Sequence, residues 1–83
     1  LIETAESTLH FSIASLWEIS VKMSIGKLDL PEDWLSQIQL QLLAWRVNWI
    51  PISPAHCEHL TSIPFHHKDP FDRMLIAQAS VER

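Results

Sequence analysis

The sequence holds one glycine and one cysteine in 83 residues, and each scarcity removes options. A lone Cys57 excludes an internal disulfide and fits a reducing cytoplasm. The lone glycine, Gly26, falls where a helix stop is wanted. Basic residues are also few: 6 Lys and Arg against 10 Asp and Glu, for a net charge of −4. That sign excludes a protein that grips nucleic acid over a broad basic face. It does not exclude an enzyme that meets a phosphodiester through a metal ion, because carboxylates that hold a cation are counted and the cation is not. No apolar run approaches the ~20 residues of a membrane span. No basic stretch followed by an apolar core opens the chain, so no secretory leader is expected. There is no internal repeat and no low-complexity segment.

What is present suits one small packed domain. Apolar residues make up 47% of the chain, which argues for a core and against disorder. Four tryptophans (Trp17, Trp34, Trp45 and Trp49) promise that core large side chains. Residues 1–7 read as the tail of a helix, and residues 8–14 alternate as a strand. Ser15-Leu16-Trp17-Glu18 has the form of a capping box, opening a helix that runs to Gly26. Residues 28–30 connect to a second helix from Pro31, whose Trp34, Leu35, Ile38, Leu42 and Trp45 recur at helical spacing. A second strand over 47–52 is bounded by Pro51 and Pro54, and Ser53-Pro54 starts a short helix that ends before Pro64. Residues 63–68 are loop, and a last helix runs from Pro70 to Arg83. Strands separated by helices imply an α/β fold with a parallel sheet. Two strands are too few for a stable sheet, so further strands are expected before Leu1 and after Arg83.

The residues that carry chemistry gather at helix starts. Asp69 and Asp72, three apart, share a face at the start of the last helix, with Pro70 between them at the first helical position. Asp69 serves as an N-cap, and Asp72 sits in a first turn where the helix dipole favours an acid. Glu18 lies four residues before Lys22, a favourable helical ion pair, and it also suits a metal ligand at a strand-to-helix turn. Ser12 reads as a polar strand residue or a phosphate contact. Lys22, Lys68 and Arg73 are candidates for phosphate contacts. His56, Cys57, His59, His66 and His67 include zinc-type ligands, but adjacent pairs are not standard zinc-finger spacing.

Two blocks resemble the PIN-domain ribonucleases, especially the toxin halves of VapC-type toxin–antitoxin pairs. The first is Ser12-Ile13-Ala14-Ser15-Leu16-Trp17-Glu18-Ile19 with Lys22, followed by Gly26-Lys27-Leu28-Asp29-Leu30-Pro31. The second is His67-Lys68-Asp69-Pro70-Phe71-Asp72-Arg73 with Leu75-Ile76-Ala77-Gln78-Ala79. The resemblance spans residues 8–83. It implies a three-layer α/β/α fold with a parallel sheet, of which residues 1–83 form one partial domain lacking the first and the C-terminal strands. It also implies metal-dependent endonucleolytic cleavage of RNA with Mg²⁺ or Mn²⁺. Glu18 and Asp72 match two of the family's acidic metal ligands, and Asp69 matches an extra aspartate of this subgroup, suited to a contact one step removed from the metal. Ser12, Lys22 and Arg73 become candidate substrate contacts. The implied partners are RNA, a cognate antitoxin and a second copy of the chain. A non-catalytic PIN remnant that only binds protein is the alternative.

Overall fold

The computed structural model describes residues 1–5, 8–64 and 68–82. Among these the elements run β1 (Ile2–Glu3), β2 (Leu9–Ser12), α1 (Ile13–Ser24), α2 (Trp34–Ala44), β3 (Asn48–Ile50), α3 (Pro54–Leu60) and α4 (Pro70–Glu82). The sheet order is β1-β2-β3. Strands β2 and β3 are parallel, with Phe11 opposite Trp49 and Ser12 opposite Ile50. The chain passes between them through α1 and α2, the long crossover that a parallel pair requires.

The first expectation to fail is the helix tail at residues 1–7. Ile2–Glu3 is a strand, paired antiparallel to β2 with Ile2 opposite His10. The sheet is therefore mixed α/β rather than all-parallel, and β1 covers an edge of β2 that the expected parallel sheet would extend. A two-residue strand has no periodicity to read; its pairing is decided by the strand beside it. Residues 6 and 7 lie outside the described residues. The Thr4 N–H donates to the Thr8 carbonyl (3.0 Å), and the Ala5 N–H donates to the Glu82 carbonyl at the end of α4 (2.9 Å).

Side chains alternate across β2. Phe11 meets Trp49 edge to face, ring centres 5.5 Å apart, as a cross-strand pair on one side of the sheet. Ser12 and Ile50 point to the other side, and α4 packs there: the Ser12 hydroxyl donates to Gln78 Oε1. The buried apolar residues are Ile2, Ala14, Leu42, Val47, Ile50, Ile63 and Ala77. No tryptophan is among them. Trp17 is 57% exposed and Trp45 63%, so the large rings are not the core that composition promises. The largest fully enclosed side chains are polar: His56, Gln78 and Ser12. Among the described residues no helix is long and apolar enough to cross a membrane.

Helix α1 begins at Ile13 and so takes the last two residues of the expected strand. Its N-cap is Ser12, whose Oγ accepts from the Ala14 N–H at 3.0 Å, and the Ser15–Glu18 box does not form because Ser15 is already inside the helix. Its other end is as read. Gly26 takes φ +74°, the Lys27 N–H reaches the Lys22 carbonyl (2.9 Å), and the Gly26 N–H reaches that of Met23 (3.1 Å). These paired bonds are the Schellman closure. Helix α2 closes in the same way, Val47 N–H to Leu42 carbonyl and Arg46 N–H to Leu43 carbonyl, but the residue in the left-handed position is Arg46, at φ 56°. A side chain there costs on the order of 1 kcal/mol. Arg46→Gly should therefore raise the unfolding free energy by about 0.5–1 kcal/mol, read as a higher urea midpoint at unchanged slope.

Candidate functional site

The carboxylates of interest lie on two neighbouring helices. Helix α1 packs against α4, and the contact includes the Trp17 ring set edge to face on Phe71, centres 5.0 Å apart. Glu18 and Asp72 each follow one of these aromatic residues in sequence.

Asp69 is the N-cap of α4, as expected. Its Oδ1 accepts from the Phe71 N–H (2.8 Å) and the Asp72 N–H (3.1 Å). Pro70 sits at the first helical position, where its missing N–H costs nothing. Asp72 follows in the first turn and is exposed.

Glu18 lies in the second turn of α1 and pairs with Lys22, Nζ to Oε2 at 2.9 Å. Their side chains are 24% and 50% exposed, respectively. The hydrogen bond and charge of Glu18 hold the Lys22 ammonium above its ordinary value of 10.5; Asp69 and Asp72 add to the rise, and partial desolvation opposes it. Of the three candidate acids, Glu18 is the one in contact with this ammonium. A pKa raised on folding means that the pair stabilises fully below pH 10.5, and that this contribution is lost as pH rises through the folded value.

Two other candidate contacts are committed elsewhere. The buried Ser12 hydroxyl donates to Gln78 Oε1 while capping α1, which leaves it structural rather than open to a phosphate. Arg73 reaches back to the end of α3: Nη1 donates to the carbonyls of Ile63 (3.2 Å) and Pro64 (3.1 Å), and Nη2 to that of Leu60 (3.1 Å). A cation at a helix C-terminus, donating to its last carbonyls, is favourable on both counts. Lys68 is exposed.

The zinc possibility loses one ligand. His56 is 2% exposed and its Nδ1 accepts from the Ser53 N–H, while Cys57 is exposed on the same helix. His66 and His67 lie outside the described residues. Among the described residues, no group of three or more His, Cys, Asp or Glu side chains is placed to hold a metal ion.

Gln78 is the site residue that sequence reasoning misses. It is fully buried, and its amide joins the Ser12 hydroxyl to the Pro51 carbonyl (Nε2 to O, 3.2 Å), tying α4 to the ends of β2 and β3. A glutamine inside an amphipathic helix carries no local sign that it faces inward. No protein-family model matches the chain, nor does any curated protein or solved structure.

Proposed function

We propose that this chain is a PIN-like domain of the toxin type, acting on RNA through a divalent cation held between α1 and α4. The reading rests on the two sequence blocks around Glu18 and Asp72. What supports it in three dimensions is one observation: α1 and α4 lie side by side, Trp17 against Phe71, and each of these rings precedes one of the two acids in sequence. Mg²⁺ and Mn²⁺ suit hard oxygen donors, and Mg²⁺ takes one or two protein carboxylates with water and phosphate completing its shell. Glu18 and Asp72 are the donors that meet this minimum. Asp69 spends one oxygen on the cap and acts through its neighbours.

The group, when bound, activates a water and offsets charge on the scissile phosphate. The chain's own residues orient it: Asp69 fixes the first turn that carries Asp72, and Lys22 fixes the Glu18 rotamer. The reading places the protein in the cytoplasm, with RNA as substrate and an antitoxin or a second copy as protein partner.

The Lys22–Glu18 pair also favours a second reading. An ammonium that already neutralises Glu18 makes a cation unnecessary, and a PIN remnant of this kind binds protein without cutting RNA. Mn²⁺ separates the two. In the first reading Mn²⁺ broadens the NMR signals of Glu18 and Asp72, and Glu18→Gln or Asp72→Asn each weakens binding roughly tenfold, the loss of one of two charged ligands. RNA cleavage in Mn²⁺ falls with it, and the variants melt as the parent does. Broadening that ignores these positions rejects the metal site and leaves the protein-binding reading.

A further inference from the structure

The capping box that starts α3 is unusual in its third member. Ser53 is the N-cap, with its Oγ accepting from the His56 N–H at 3.3 Å. The reciprocal bond is made by an imidazole, where Glu or Gln is the common residue. The Ser53 N–H donates to His56 Nδ1 at 2.9 Å. An atom that accepts an N–H has its lone pair free, so Nδ1 carries no hydrogen. A neutral imidazole has one N–H, and here it must be on Nε2.

That second nitrogen is enclosed. His56 is 2% exposed, and its Nε2 has no hydrogen-bond partner among the described residues. Glu82 Oε2 lies 3.5 Å away on α4, with its own side chain 34% exposed. The contact between α3 and α4 therefore joins a neutral Nε2–H to a carboxylate. Glu82 is the charged group facing His56 from α4. The other α4 charge that touches α3, Arg73, sits at the far end of the short helix. On α3 itself, Cys57 and Glu58 are exposed and His59 is half-buried.

A second proton has one place to go. It must take the Nδ1 lone pair, and an imidazolium has none left to offer. The Ser53 N–H would then face another N–H. Protonation of His56 and closure of the cap exclude each other, whereas the Nε2–H contact with Glu82 survives in both forms.

We infer that His56 is a proton-operated latch on the N-terminal end of α3. In the neutral form the latch is closed. In the acid form the Ser53–His56 box opens while Arg73 keeps the C-terminal end fixed, so the helix pivots at the Arg73 end and the turn after β3 is released. The inference is independent of the nuclease reading.

The test is NMR on the intact chain. At neutral pH the ¹⁵N spectrum should report the Nε2–H tautomer of His56. On acidification, the Ser53 amide should lose exchange protection by roughly tenfold, the worth of one hydrogen bond, in step with protonation of the His56 ring. His56→Gln keeps an acceptor for the Ser53 N–H without a titrating ring, and its Ser53 protection should be flat over the same range. An Nδ1–H tautomer, a ring that stays neutral down to acid unfolding, Ser53 protection that ignores the ring titration, or a pH response that persists in His56→Gln would each overturn the latch.

Discussion

Replacing Gln78 with Leu should lower the unfolding free energy by about 3 kcal/mol, the largest loss expected from a single side chain here. The substitution keeps the volume and removes two bonds. It strands the Ser12 hydroxyl without its acceptor and the Pro51 carbonyl without its donor, both at the joint of α4 with the sheet. A buried polar group left unsatisfied costs about 1–3 kcal/mol. A chain of 83 residues has roughly 4–12 kcal/mol in all, so much of its margin would go. Urea unfolding followed by tryptophan fluorescence measures the change. Adding Ser12→Ala to the variant should cost less than Ser12→Ala alone, because the pair shares one hydrogen bond. Additive losses would show that the Ser12–Gln78 bond contributes nothing.

Arg73→Ala should cost nearly as much, about 2–3 kcal/mol. The guanidinium supplies charged hydrogen bonds to three carbonyls at and beyond the end of α3. Bonds to a charged group contribute about 1.5–3 kcal/mol each when buried, and partial exposure reduces the sum. Arg73→Lys should recover less than half of the loss. An ammonium is a point donor and cannot span three carbonyls as a planar fork does. Full recovery by lysine would mean that charge at the helix end, rather than the fork, is what matters.

These two residues also mark the boundary of what the sequence reveals. The starts of α3 and α4 were legible, since Ser53-Pro54 and Asp69-Pro70 each place a cap before a proline and both caps form as read. The end of α1 was legible from its glycine. The Glu18–Lys22 pair was legible from spacing alone. In each case the partners lie within a turn of one another. What failed was non-local. Two serines compete to cap α1, and Ser12 wins because its register opposite Ile50 turns it toward Gln78, 66 positions away. Arg73 reads as a phosphate contact because the carbonyls it serves are 9 to 13 positions back. His56 counts among the zinc-type residues because nothing in Ser-Pro-Ala-His distinguishes a ring that completes a cap from one that awaits a metal. The candidate acids were found by motif, and that their helices are neighbours emerges only from the packing of α1 on α4.

Helix α2 is lightly anchored. Leu42 is its one buried residue, while Leu35, Leu40 and Leu43 face outward at 38%, 66% and 74% exposure, and its final turn is closed by a strained arginine. Little is lost when such a helix lifts away from the sheet and refolds onto it. Native-state hydrogen exchange should therefore show α2 opening first, with the amides of β2 and β3 still protected.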